Sequence, residues 1–332
     1  MIEHGGRLRQ AAAHYGIALP DWLDLSTGIN PHAWPVATPS AASWQRLPED
    51  DDGLVATARC YYGARDLLPV AGSQAAIQAL PRLRDRGRVG VLQGAYAEHA
   101  LRWRMAGHEV RVLQAGDLAP DLPELDVLVL CSPDNPTGTQ WTRAQLLRWQ
   151  TTLAARGGWL VVDEAFIDAR PEQSVASDAG RDGLIVLRSL GKFFGLAGAR
   201  VGFVCAAPAL LQRLAEMLGP WPIAGPAREI AQHALADRAW QAGARAALAQ
   251  QSARLAALLD QHGLAPAGGC ALFQWVRTAR AAAIHDALAR QAILTRLFDA
   301  PASLRFGLPG READWARLDA VLRSVTQRQR AA

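Results

Sequence analysis

The feature that most constrains this chain is an alternation that runs from residue 88 to residue 205. Short apolar runs recur there, separated by amphipathic segments. Arg88–Leu92, Glu109–Leu113, Asp126–Cys131, Trp159–Asp163, Leu184–Arg188 and Val201–Cys205 read as buried strands. A strand covered on both faces is a near-continuous apolar run and shows no polar alternation. Helical segments fall before and between them. Ser73–Arg84 begins with a Ser cap, Tyr96–Ala106 is apolar along one face, and Thr142–Arg156 runs from a Thr cap to Gly157-Gly158. Strands alternating with helices predict an α/β fold with a mostly parallel sheet covered by helices.

The pattern changes after residue 208. Pro226–His262 is rich in Ala, Arg, Gln and Leu and predicts one or two long helices. Strands over Ala271–Val276 and Ser303–Leu308, with helices over Ala279–Gln291 and Glu312–Arg328, predict a smaller α+β domain. The first 35 residues carry Gly5-Gly6, Gly28-Ile29-Asn30-Pro31 and Pro35, and are expected to form an extended arm with no packed helix. The expected division is a large domain over 36–208, with 1–35 and 209–332 supplying the arm and the small domain.

Half of the 332 residues are apolar and a fifth are charged, which excludes a disordered chain, a collagen-like chain and a disulfide mini-protein. The four cysteines are widely spaced with no C-x-x-C pair, so reduced thiols and no metal site are expected. The net charge is +4 and no basic block of five occurs, which argues against a nucleic-acid partner. No apolar leader and no apolar run of about 18 residues is seen, so a cytoplasmic protein without a membrane span is expected.

One count bears on chemistry. Of 35 Lys plus Arg residues, one is lysine, Lys192, which leaves 34 arginines. Arginine keeps its proton under ordinary conditions. The lysine that survives such a bias is a candidate for an amine that must lose its proton; drift is the plainer alternative. Lys192 closes Ser189-Leu190-Gly191-Lys192, directly after a strand, at the sheet edge where open α/β folds bind ligands. Phe193 and Phe194 beside it would desolvate the amine and favour imine chemistry.

Three further segments end at the same edge. Asp163 closes an apolar strand and needs a cation or donors there. The protonated pyridine nitrogen of pyridoxal phosphate would serve, and so would the cap of the next helix. Asn135, in Ser132-Pro133-Asp134-Asn135-Pro136-Thr137-Gly138, would donate to the cofactor's ring hydroxyl or close an Asx turn. Gly72-Ser73-Gln74 opens a helix and suits a phosphate, as many helix starts do. Arg200 could add a bidentate contact to that phosphate.

Asn135, Asp163 and Lys192 stand 28 and 29 residues apart. The order N-P-x-G, D-E-A, S-x-x-K and then Arg resembles the fold-type I pyridoxal-phosphate enzymes, the aspartate aminotransferase superfamily, over nearly the whole chain. The resemblance implies pyridoxal 5'-phosphate as cofactor, carried by Lys192 as an imine. It implies that Asp163 pairs with the pyridine nitrogen and Asn135 with the ring hydroxyl. Ser73, Gln74, Ser189 and Arg200 would hold the phosphate, Tyr96 would stack on the ring, and Arg305 would bind the substrate carboxylate.

Three segments narrow the resemblance. They are His4-Gly5-Gly6-Arg7-Leu8-Arg9, Leu23–Pro31, and Asp163–Asp168 with Phe166 where many aminotransferases carry Tyr. Together they are similar to the threonine-phosphate decarboxylases of cobalamin synthesis, themselves close to histidinol-phosphate aminotransferases. This implies decarboxylation of L-threonine O-3-phosphate to (R)-1-amino-2-propanol O-2-phosphate by a homodimer. His4, Gly5, Gly6, Asn30, Arg296 and Arg305 would then meet the phosphorylated amino acid. A decarboxylase must turn the substrate carboxylate out of the cofactor plane, and a clamp on two anionic groups can set that rotamer. The chain departs from its relatives at Leu47, where many carry a Tyr before Pro, after Gln74, where an acidic residue often follows, and at Pro309-Gly310. The rival readings are an aminotransferase for histidinol phosphate or a related amino acid, and a non-catalytic binding subunit of the same fold.

Overall fold

The computed structural model describes residues 5–116 and 118–328. The chain packs into two units: Ala33–Asn135 with Thr139–Gly243, and Met1–His32 with Pro136–Gly138 and Ala244–Ala332. The first strand, β1 (Leu23–Asp24), lies in the smaller unit.

The larger unit is built on a seven-stranded sheet. Its strands are β2 (Leu67–Val70), β3 (Arg88–Leu92), β4 (Glu109–Leu113), β5 (Val127–Cys131), β6 (Trp159–Asp163), β7 (Leu184–Ser189) and β8 (Gly202–Cys205), in the order β2-β8-β7-β6-β5-β3-β4. Neighbours from β7 to β4 run parallel, and β8 runs antiparallel to both β7 and β2. The six apolar runs of the sequence are strands within a residue of their expected bounds. Every residue of β5 is buried, as a strand covered on both faces requires.

Strand β2 is not signalled by the sequence, because Leu67-Leu68-Pro69-Val70 contains a proline. It sits at the sheet edge and pairs only with β8 on one side, where a missing N–H is tolerated. The helix expected over Ser73–Arg84 stops at Ala79, and the Pro81 segment continues as a 3-10 turn over Leu80–Leu83. Helix Arg143–Ala154 carries a complete capping box between Thr142 and Gln145, a device that stabilises a helix start by about 1 kcal/mol. One core joins sheet and helices through Val70, Ile77, Val89, Trp103, Val129, Val161, Leu187 and Leu214. Helices Pro208–Leu218 and Gly225–Ala236 also belong to this unit.

The Ala-rich stretch forms two helices, Gly225–Ala236 and Arg238–Gln261. The smaller unit then adds β9 (Gly268–Cys270), β10 (Phe273–Arg277), helix Ala281–Ala289, β11 (Ile293–Leu294), β12 (Arg296–Asp299), β13 (Ala302–Gly307) and helix Glu312–Arg328. Strands β12-β13-β10-β9 form an antiparallel sheet, and β11 pairs parallel with β1.

The expectation of a purely extended arm is corrected: Leu8–Tyr15 is a helix. Glycines and prolines flank this segment, but Leu-Arg-Gln-Ala-Ala-Ala-His-Tyr contains no breaker, and Gly16 closes it in the left-handed region at φ 69°. Leu8, Ala11, Ala12 and Tyr15 pack against Trp22, Ala289 and Leu294. Among the described residues, no helix is long and apolar enough to cross a membrane.

Candidate active site

The carboxyl ends of β2, β3, β5, β6 and β7 share one sheet edge. Because β8 runs the other way, the residues just before it reach that same edge. A cavity of about 150 Å³ opens there, lined by Ser73, Gln74, Tyr96, Asn135, Asp163, Ser189, Lys192 and Arg200, together with Cys131, Ala165 and Phe166. The first eight are the residues that the sequence pattern marks for the cofactor, so the fold brings that whole set into one place.

One end of the cavity is built from donors: the Ser73 and Ser189 hydroxyls and the Arg200 guanidinium. Two glycines permit the close approach. A Cβ on Gly72 would stand 2.6 Å from an Arg200 Nη, and one on Gly202 would stand 2.5 Å from the Ser73 nitrogen. Arg200 itself adopts φ 54°, in the left-handed region, a conformation that costs a non-glycine residue on the order of 1 kcal/mol. A site of this kind suits a phosphate dianion.

Asp163 lies below, 5% exposed. Its Oδ2 is 3.0 Å from His99 Nε2, and its Oδ1 accepts from the Ala165 N–H at 3.1 Å. His99 is equally buried. The sequence reading did not single it out, although it stands three residues after Tyr96 at the start of helix Ala97–Met105, one turn along the same face. Cys131 is the third buried group here; its ligand atom and those of His99 and Asp163 lie within 4.8 Å of one another. Burial, with Asp163 and Asp134 nearby, pushes the Cys131 thiol well up, so it stays protonated.

The Tyr96 hydroxyl donates to Gln74 Oε1 at 3.2 Å, and Gln74 Nε2 donates to Glu98 Oε2 at 2.8 Å. Burial, helped by the charges of Asp163 and Glu98, pushes the Tyr96 phenol up to about 12. Tyr96 is therefore a neutral, braced ring at neutral pH. The Gln74 side chain serves that brace, and its main-chain N–H belongs to the first turn of helix Ser73–Ala79. The Lys192 Nζ lies 5.3 Å from the Phe166 ring centre. Phe193 and Phe194, both fully buried, pack on Trp240 and anchor the lysine turn.

The donor set passes a chemical test for pyridoxal phosphate. A dianion-binding end, a buried carboxylate for a pyridinium, an amide at Asn135, two aromatic rings and one amine line a single cavity.

The residues expected to meet substrate lie in the smaller unit. Arg305 on β13 stands opposite Arg296 on β12. Arg305 is 5% exposed and donates from Nη2 to the Ser26 carbonyl at 2.8 Å. Burial, then the charge of Arg296, pulls the Arg305 guanidinium down to about 10, against the opposing pull of Cys270 and Asp24. The Gly6 N–H donates to Ser26 Oγ at 2.8 Å, and a Cβ on Gly5 would stand 2.4 Å from the Ser26 carbonyl oxygen. Gly5, Gly6 and Arg305 thus meet at Ser26, within the Leu23–Pro31 segment. Asn30 is buried and its Oδ1 accepts from the His32 N–H at 2.9 Å. His4 lies outside the described residues.

A family model described as aminotransferase class I and II matches residues 56–318. The chain is 59% identical to a threonine-phosphate decarboxylase of Pseudomonas aeruginosa over 324 residues, covering 97% of both chains. It is 44% identical to a protein of the same name from a Sinorhizobium species, covering 97% of this chain and 98% of that one. Among solved structures, the histidinol-phosphate aminotransferase of Sinorhizobium meliloti in complex with pyridoxal-5'-phosphate matches with a TM-score of 0.83 at 20% identity. The match covers 99% of this chain and 96% of that one.

Proposed function

This chain belongs to the aminotransferase class I and II family, and we propose that it uses pyridoxal phosphate to convert L-threonine O-3-phosphate to (R)-1-amino-2-propanol O-2-phosphate and CO2. One observation carries the choice of substrate: end-to-end similarity, at 59% identity, to a threonine-phosphate decarboxylase. The cavity supplies the chemistry such a reaction needs.

When bound, pyridoxal phosphate supplies an electron sink for the pair left behind as a bond at the substrate Cα breaks. Lys192 is the amine that holds the cofactor and, once released, the group placed to return a proton to Cα. Asp163, braced by His99, keeps the proton on the pyridine nitrogen. Asn135 donates to the ring hydroxyl and Tyr96 covers the ring. Ser73, Ser189, Arg200 and the Gln74 main chain hold the cofactor phosphate. Arg305 holds the substrate carboxylate, and Arg296 and His4 hold the substrate phosphate, while the Gly6 N–H is engaged by Ser26 Oγ. Asn30 holds its own turn through the His32 N–H. The two anionic anchors set the rotamer that decides which Cα bond is cleaved.

The product assigns the reaction to cobalamin synthesis on this reading, with a cytoplasmic enzyme proposed alongside it. The enzyme works as a homodimer. The exposed apolar side chains Val36, Trp44 and Leu47, the last two 71% and 63% exposed, supply a surface for a second copy.

The test is to incubate the cofactor-loaded protein with threonine phosphate. CO2 release without consumption of 2-oxoglutarate is expected. Glutamate formed from histidinol phosphate and 2-oxoglutarate, with no CO2 from threonine phosphate, would overturn the reading. Lys192→Ala should abolish both turnover and the absorbance of the lysine-bound cofactor.

A further inference from the structure

The cavity uses only one face of the β6–β7 pair. Asp163 pairs in register with Leu187, so the next residues, Glu164 and Arg188, point to the opposite face. There they form a buried ion cluster that the chemistry described so far does not use. Arg188, Glu164 and Asp168 are 2%, 1% and 0% exposed. Arg188 Nη1 donates to Glu164 Oε2, and also to Ser174 Oγ at 3.0 Å; its Nη2 donates to Asp168 Oδ1 at 2.6 Å. Glu164 Oε1 accepts the Val175 N–H at 2.8 Å. The Tyr61 hydroxyl donates to Asp168 Oδ1 at 3.0 Å, and the Tyr62 ring lies 4.5 Å from the Arg188 guanidinium carbon.

A buried ion cluster is a poor way to gain stability, since desolvation opposes the Coulomb attraction. Burial alone would push the Arg188 guanidinium down, but Asp168 and Glu164 outweigh it and hold it above its ordinary value. What the cluster does supply is fixed geometry. It grips the turn 163–168 at Glu164 and again at Asp168. Between those grips, Ala165 and Phe166 line the cavity, and Asp163 immediately precedes Glu164. The gripping residue belongs to β7, four positions before Lys192.

We propose that Arg188 is a positioning residue for the reaction: by clamping Glu164 and Asp168 it fixes the turn that presents Asp163 and Phe166 relative to Lys192. The inference deepens the reading of this cavity as a pyridoxal-phosphate site and needs no assumption about the substrate. A clamp of this kind tunes the lysine-bound cofactor from behind the sheet. The strand pair would carry the effect, since no residue of the cluster lines the cavity.

The test uses the holoenzyme and three variants, Asp168→Asn, Arg188→Lys and Tyr61→Phe, with Leu153→Ala as a cavity-forming control at the far end of helix Arg143–Ala154. The readout is the pH midpoint of the absorbance of the Lys192-bound cofactor, with kcat and KM beside it. Asp168→Asn and Arg188→Lys should move the midpoint by about half a unit or more. They should lower kcat by about tenfold or more with KM changed less than about twofold. Tyr61→Phe should move both in the same direction by less, and it keeps the question open to measurement should the charge variants fail to fold. Leu153→Ala should lower the melting temperature and leave the midpoint in place. Wild-type midpoint and kcat in Tyr61→Phe, and in whichever charge variant folds, would overturn the proposal. If the midpoint shifts while wild type releases no CO2 from threonine phosphate, the clamp stands and the substrate reading falls.

Discussion

Two buried arginines behave in opposite ways. Arg188, behind the large sheet, sits between Glu164 and Asp168 and is held above its ordinary proton affinity despite burial. Arg305, on β13 of the smaller unit, is as deeply buried, but it donates to the Ser26 carbonyl beside a second cation, Arg296, and is pulled down to about 10. The difference separates two uses of a costly charge. Where carboxylates already balance it, the cation fixes the protein's own geometry. Where burial and a like charge disfavour it, an arriving anion gains the most by meeting it, because the desolvation has been met in advance by folding.

Three substitutions set that contrast against measurement. Arg188→Ala leaves two buried carboxylates without their cation and should cost about 3–5 kcal/mol of unfolding free energy, read from denaturant midpoints. Equal stability in this variant would break the contrast. Arg305→Gln should be close to neutral for folding and should reduce kcat/KM by about 2–4 kcal/mol, roughly 30- to 1,000-fold. The same residue carries a pH signature. Its native proton affinity, about 10, lies below the ordinary 12.5. The charge that meets substrate is therefore present below about pH 10 and lost above it, so KM should rise there in wild type and not in Arg305→Gln. For stability the sign is opposite. Between about 10 and 12.5 the unfolded chain binds more protons than the native one, so this group's contribution to stability increases with pH. The smallest effect belongs to a third arginine. Arg254 reaches both oxygens of Glu312, at 2.6 and 2.7 Å, but both side chains are exposed. Glu312→Gln should leave the denaturant midpoint nearly unchanged, and the more so at high salt. A large loss there would mean that burial is not what separates this pair from the first two arginines.

The central strands are legible in the sequence because burial on both faces removes every polar residue from their middles, as in Val127–Cys131. Strand β2 is not, since its Pro69 is acceptable only at an edge, and edge position is a property of the assembled sheet. Asn135, Asp163 and Lys192 are legible because each stands at or just after a recognisable strand end. His99 is not, because its meaning depends on helix Ala97–Met105 turning one buried face toward Asp163. Arg188 stands in plain sight four residues before Lys192, yet it reads as one arginine among 34. Only the pairing of β6 with β7 shows that it meets Glu164. The helix Leu8–Tyr15 escapes for a related reason: its packing against Trp22 and Leu294 comes from distant chain, while its glycine-rich flanks argue locally for an arm.

The lone lysine has a practical consequence. A chain with one ε-amine gives amine-directed chemistry a single internal address. Borohydride reduction of the loaded protein would tether the cofactor at one side chain, with no second product to sort from the first. A protease that cuts after lysine would divide the denatured chain once, after residue 192, and the reduced adduct would block that cut. The intensity of the uncut band on a gel, set against the two fragments, would then report the fraction of molecules carrying cofactor.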